Sequence, residues 1–349
     1  QIRTGTILLR FFLPQILLYG LGALAIAVLT AKKKFVTTVL APMGSSLFMI
    51  ASLVLFAIVH NSSNLDLSTN AVVILGIAGT GACLCFVAIP IIVSIRNGVN
   101  FLPSFNFANG IKVLSGSLWA IAIQGSAAII LASAIFIGNK LDGAVVAYQL
   151  AFVFFLAPYA VFAQSFSTVM LPELSVGGQD VESEKFKDSV KKMMTYTYRP
   201  MAAIAALCVA SGAPAMRIVA TGRAHSGAEL VAVCFVALSI GLLGYSLFQA
   251  VSRIYFAYGN VRFPALTVLV MSVLTGAISI YVAKGMQGTS LVFLMGISHS
   301  IMYTLAALVL VASLLRKSQP VLPDKQSVLI IFASIAAGAL GYLVFNSLL

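Results

Sequence analysis

The sequence predicts an all-α integral membrane protein, a multi-helix bundle, and three observations carry that prediction. Apolar residues make up 60% of the 349 positions and charged residues 9%, whereas soluble domains hold about 45–50% and about 25% respectively. The apolar residues gather into ten stretches, near 12–31, 36–60, 70–95, 113–137, 143–171, 196–214, 229–252, 264–284, 289–315 and 326–348. Most match the roughly 20 residues that a helix needs to cross a bilayer. The basic residues between them are distributed unevenly.

Ten spans place successive connections on alternate sides. Of the 21 Lys and Arg residues, 15 fall on one side and 6 on the other, so the richer side is cytoplasmic and both ends of the sequence lie outside. The net charge of +12 therefore reads as topology rather than as a nucleic-acid footprint. Cys83, Cys85, Cys208 and Cys234 all sit inside apolar runs, without the spacing of a redox pair or metal site.

In chain order, the first span is entered through Arg10 and Pro14 and ends at Lys32-Lys33-Lys34. A lysine triplet there is a topological anchor with affinity for anionic headgroups. Pro42 falls in the first turn of the second span, where its missing N–H costs little. Residues 61–69 form an external loop, and the connection from Arg96 through Pro103 to Lys112 is internal. A domain boundary is expected near residue 105.

The fifth span organises the rest, because Pro158 and then Leu171-Pro172 interrupt its backbone hydrogen bonding. Such breaks in a membrane are tolerated where neighbouring helices cover them. Residues 176–195 carry Phe186, Val190 and Met193 at helical spacing between lysines, which predicts an amphipathic connector lying on the inner surface. Spans one to three echo in spans seven to nine, since Lys32-Lys33-Lys34 before Pro42 parallels the turn from Ala257 to Pro264. Duplicated bundles of this kind build central cavities.

The nine acidic residues all fall in loops or at helix ends. No carboxylate pair, Cys/His metal spacing or phosphate-cradling glycine loop is present, and no connection is long enough for an enzyme domain. These absences predict a transporter, not an enzyme, with no cofactor and no metal. They also weigh against cation-coupled antiport through these spans, which would use an intramembrane carboxylate. The membrane-embedded polar residues include Ser115, Ser117, Gln124 and Ser126 on span four, Gln149, Gln164, Ser165, Ser167 and Thr168 on span five, Gln249 and Ser252 near the end of span seven, and Ser298, His299 and Ser300 in span nine. They suit either helix-helix hydrogen bonds or a cavity wall.

The segment Thr168-Val169-Met170-Leu171-Pro172-Glu173-Leu174-Ser175 resembles the motif that ends the eighth membrane helix of the MurJ (MviN) family. Those proteins are flippases for lipid II, the lipid-linked peptidoglycan precursor, in the superfamily that includes the MATE exporters. The stretch from Arg10 through Pro14 to Gln15, followed by Leu29-Thr30-Ala31-Lys32 and Ala41-Pro42, is similar to the family's fourth and fifth helices. That from Ser252-Arg253-Ile254-Tyr255 to Pro264 is similar to another of its helix ends.

The resemblance implies two pseudo-repeated lobes: 1–105 as the last three helices of an N-lobe, 106–318 as a six-helix C-lobe and 319–349 as an additional helix. Three helices would precede Gln1 and one would follow Leu349. The implied partners are lipid II or a related polyprenyl-pyrophosphate glycan, membrane lipids of a bacterial cell membrane and cell-wall synthesis proteins, with no nucleic acid. The substrate's pyrophosphate calls for cations in a hydrated cavity.

Substrate-contact candidates are Arg253, Arg10 and Arg199, with Gln249, Gln164 and Gln124. Pro14, Pro158, Leu171, Pro172, Ser175 and Pro264 are structural. Arg253 matches the family motif, and it equally suits an interfacial anchor. A family arginine on the eighth helix aligns with Val153, where the run Phe152-Val153-Phe154-Phe155 reads as packing or lipid contact. A flippase for another polyprenyl-linked glycan, or a non-transporting scaffold in cell-wall synthesis, would share the architecture.

Overall fold

A computed structural model describes residues 2–32, 34–59, 69–99, 107–177, 180, 182–219, 227–257 and 259–348. Residues 61–68 of the loop expected at 61–69, and the boundary near 105, lie outside them. Thirteen α-helices are described: α1 (Ile2–Phe12), α2 (Gln15–Ala31), α3 (Phe35–Val59), α4 (Thr69–Arg96), α5 (Phe107–Gly138), α6 (Ala144–Pro158), α7 (Ser165–Gly177), α8 (Glu184–Val219), α9 (Ala228–Ile240), α10 (Leu242–Ala257), α11 (Arg262–Val282), α12 (Thr289–Arg316) and α13 (Lys325–Leu348). Among the described residues, nine segments are long and apolar enough to cross a membrane, or ten when the bent pair α9–α10 counts as one span. The chain divides into two compact units, Gln1–Phe105 and Asn106–Leu349.

In the first unit α4 is the centre, and α1, α2 and α3 pack against it. Proline at position 14 cannot donate a backbone hydrogen bond and separates α1 from α2. The α4 side chain of Thr80 covers the break by donating its hydroxyl to the Phe11 carbonyl at 2.7 Å, and Gln15 donates to Thr80 Oγ1 at 3.1 Å. At the cation-rich end Lys32 and Lys34 donate to Asn97, just past α4. Two lysines of the triplet thus also hold a helix C-terminus, where the dipole favours cations.

The second unit is built around α9, α10 and α12, whereas α13 is the least buried of its spans. No proline sits at the 47° bend between α9 and α10. The cause is Gly241, whose missing side chain lets α12 approach: a Cβ there would lie 2.4 Å from the Ser300 Cα. Ser300 then donates its hydroxyl to the carbonyls of Ala237 and Leu238, at 2.7 and 3.0 Å. The bend is covered from outside its own helix, as a membrane interior requires.

Helix α8 differs from the expectation of a connector lying on the inner surface. Residues 184–195 are its first three turns, continuous with the following span. Phe186, Val190 and Met193 are buried in the unit's core, at 1%, 0% and 0% exposure. The apolar stripe had a protein partner available, and covering it there removes it from water and lipid alike. Ser183 caps the helix by accepting the Phe186 N–H at 3.3 Å.

Helix α13 docks along α8 at both ends. Beyond its midpoint it approaches closely through Gly338 and Gly341, which face Ala206 and Ala210. At its start, Asp324 Oδ1 accepts the Ser327 N–H at 3.0 Å while Oδ2 accepts the Arg199 guanidinium at 2.6 Å. Arg199 Nε donates to Ser327 Oγ at 3.1 Å, and Tyr198 donates to the Val321 carbonyl at 2.9 Å.

Hydrogen bonds from Ser327, and then the Arg199 charge, hold the Asp324 carboxyl below its ordinary range. A depressed folded-state pKa contributes stability that is present above the unfolded value and lost as pH falls through the folded one. Acidification below the ordinary carboxylate range is therefore expected to loosen α13. Asp324→Asn should flatten that part of the profile, read as the difference between the two proteins' melting temperatures across an acid titration. Parallel profiles would exclude the contribution.

Candidate substrate-contact site

Two interrupted helices bring the polar groups of the second unit together. Pro158 ends α6, and the next six residues, Tyr159–Gln164, form a π turn before α7 resumes. The missing proline N–H and the bulk of its ring loosen the α register, and π turns of this kind recur at functional sites. Ser165 donates its hydroxyl to the Ala160 carbonyl, five residues back, at 3.0 Å. The motif residues Leu171, Pro172 and Ser175 lie within α7, so the helix continues past them to Gly177.

Opposite this turn, α10 carries Tyr245, Gln249 and Arg253 at i, i+4 and i+8, one stripe of a helix. Gln249 Nε2 donates to the Tyr245 hydroxyl at 3.1 Å. Arg253 Nη1 donates to Thr168 Oγ1 on α7 at 3.4 Å, and Thr168 in turn donates to the Gln164 carbonyl at 2.8 Å. Arg253 is half-buried, and no carboxylate pairs with it among the described residues. A planar fork of five N–H donors held by one long bond suits an incoming phosphate oxygen.

Behind the stripe is a wall of rings. Tyr245 lies edge-on to Tyr159 and Tyr303, each at 4.8 Å between centroids. His299 sits 4.7 Å from Tyr303 and edge-on to Phe152 and Phe155 at 5.2 and 5.4 Å. It is 2% exposed, and its Nδ1 has no hydrogen-bond partner. The expectation of a histidine hydrogen-bonded within the bundle holds for burial but not for this nitrogen, which packs as part of an aromatic cluster.

The predicted candidates separate. Arg253 and Gln249 share one stripe of α10, whereas Gln164 meets it only through its backbone carbonyl, which accepts from Thr168, and its side chain is exposed. Arg199 is in the second unit, but its charge is engaged by Asp324. Gln124 is exposed on α5, and Arg10 is exposed in the last turn of α1 in the first unit. Val153 is 63% exposed, beside the buried Phe155, which agrees with the reading of that run as packing and lipid contact. Pro264 lies buried in the first turn of α11, where Asn260 Oδ1 accepts the Phe263 N–H at 3.3 Å. The tyrosines of the stripe were not singled out in the sequence, although the spacing of Tyr245, Gln249 and Arg253 was there to read.

This fold defines an all-α, multi-pass membrane helix bundle among the described residues. A solved MATE transporter of Vibrio cholerae, the VcmN mutant, matches at 17% identity over 90% of this chain and 77% of its own, with a TM-score of 0.53. A solved structure of the lipid II flippase MurJ, in an inward closed conformation, matches at 22% identity over 98% of this chain and 73% of its own, with a TM-score of 0.69. A search of curated protein sequences found no match. The family model for the lipid II flippase MurJ matches residues 2–348, and the chain belongs to that family. Lipid II flipping in the cell membrane, as part of peptidoglycan biosynthesis, is the function that membership assigns.

Proposed function

We propose that this chain carries lipid II from the cytoplasmic to the outer face of the membrane by alternating access, without chemical change to the substrate. In this reading Arg253 contacts the pyrophosphate. The observation that carries the reading is the half-buried Arg253 guanidinium, which has no carboxylate partner among the described residues and is held at the edge of a stripe of amide and phenol groups. A buried cation without a counter-ion is costly, and an anionic substrate group would relieve that cost on binding. Gln249 and Gln164 are the flanking hydrogen-bonding groups, with Arg10 and Gln124 as contacts elsewhere on the substrate path. Arg199, already neutralised, acts by fixing α13. The unit Gln1–Phe105 corresponds to the second half of an N-lobe, and Asn106–Leu349 to a C-lobe with α13 appended.

The test is complementation. The gene is expressed in cells depleted of their own lipid II flippase, and lipid II reaching the outer surface is quantified. Rescue of growth with restored surface lipid II is expected. Confirmed membrane insertion without either would overturn the reading.

A further inference from the structure

The seam between α8 and α13 is lined by charged residues at one end and by apolar ones beyond. At the cation-rich end the two helices diverge into a cleft of about 720 Å³, whose mouth holds Lys191, Lys192, Thr195 and Tyr196. Directly along the seam lies an apolar hollow of about 480 Å³, walled by small residues such as Ala206, Ala210 and Ala337. The two are continuous, because Ala203 and Ile330 line both.

The charge of the mouth does not cancel. Lys192 pairs with Asp188 at 2.7 Å, and Arg199 pairs with Asp324 at 2.6 Å. Lys191 is left as the cation of the cleft without a carboxylate partner among the described residues. The Lys192–Asp188 pair is exposed at both side chains, 58% each, and such pairs are weak enough to open toward a better anion. Tyr196 is 55% exposed, with its ring 4.4 Å from that of Phe166. A tyrosine so placed suits the interfacial belt at headgroup depth.

We propose that this seam holds one anionic glycerophospholipid of the surrounding membrane, its phosphate at Lys191 and Lys192 and an acyl chain in the hollow beyond Ala203. A cationic mouth continuous with an apolar furrow matches an amphiphile with a negative head, and neither half alone would select it. The seam is separate from the Arg253 stripe, so failure of the flipping assay leaves this site untouched and the reverse also holds.

The test uses the purified chain in neutral detergent, with the thermal unfolding midpoint read against added lipid. Dioctanoyl phosphatidylglycerol, phosphatidylcholine of the same chains and glycerol phosphate are titrated in parallel. Phosphatidylglycerol is expected to raise the midpoint with half-saturation roughly tenfold below that of phosphatidylcholine. Lys191→Gln with Lys192→Gln should erase that preference, and Lys191→Arg should keep it. Ala203→Phe, which fills the shared floor from an exposed position, should weaken both lipids alike. Equal response to the two lipids, an unchanged preference in the double variant, or an equal effect of glycerol phosphate would each overturn the proposal. Displacement of the phosphatidylglycerol by a stoichiometric amount of polyisoprenyl phosphate would assign the seam to a transported lipid instead.

Discussion

Arg253→Ala is expected to reduce lipid II flipping by about 10- to 100-fold, the loss that corresponds to one charge-assisted hydrogen-bonding group worth about 1.5–3 kcal/mol. The protein should still insert and fold, because Arg253 makes one long hydrogen bond, to Thr168 at 3.4 Å, and no ion pair among the described residues. Arg253→Lys keeps the charge but not the planar fork, so intermediate activity is expected. A helix-end arginine also anchors a span at the interface, and Arg316→Ala serves as the control for that role. Arg316 is exposed in the last turn of α12 and has the same topological value without the stripe beside it. The measurement is surface lipid II per unit of inserted protein in flippase-depleted cells. Equal losses in the two alanine variants would sink the substrate-contact role and leave an anchor.

Gly244→Ala is expected to destabilise the second unit by about 2–3 kcal/mol, at the upper end of what overpacking costs. A Cβ at this position would lie 2.1 Å from Thr304 Oγ1 and 2.8 Å from the Thr304 Cα. The first clash is with a side chain and could be removed, whereas the second is with backbone and could not. Thr304→Ala in the same chain should therefore restore only part of the loss. Because α10 carries the Arg253 stripe and α12 carries His299 and Tyr303, flipping should fall with stability in these variants, unlike Arg253→Ala. Thermal unfolding in detergent is the readout, and an unchanged midpoint in Gly244→Ala would show that the two helices are not in close contact there.

Much of this protein was legible in its composition. Apolar runs of spanning length were enough to define a multi-pass helical membrane protein. Pro158 marked a helix break, because a residue without an N–H acts through its own chain, whereas Pro172, expected to mark another, lies within α7, and the break at Pro14 was read only as the entry to a span. The motif around Leu171-Pro172 pointed to the family.

The Gly241 bend, the long α8 and the Arg199–Asp324 pair were not legible, for one physical reason. In a membrane, lipid-facing and core-facing surfaces are both apolar, so hydropathy reports that a helix spans without reporting which face meets which neighbour. Gly241 looks like any other glycine until Ser300 is found against it. Phe186, Val190 and Met193 look like a surface stripe until a core is found to receive them. Arg199 and Arg253 are two helix-bound arginines in the sequence, and only the packing of α13 against α8 places a carboxylate beside the first and none beside the second. The positions of the spans were thus legible in local composition, whereas the surroundings of Arg253 were decided by contacts between residues more than eighty positions apart.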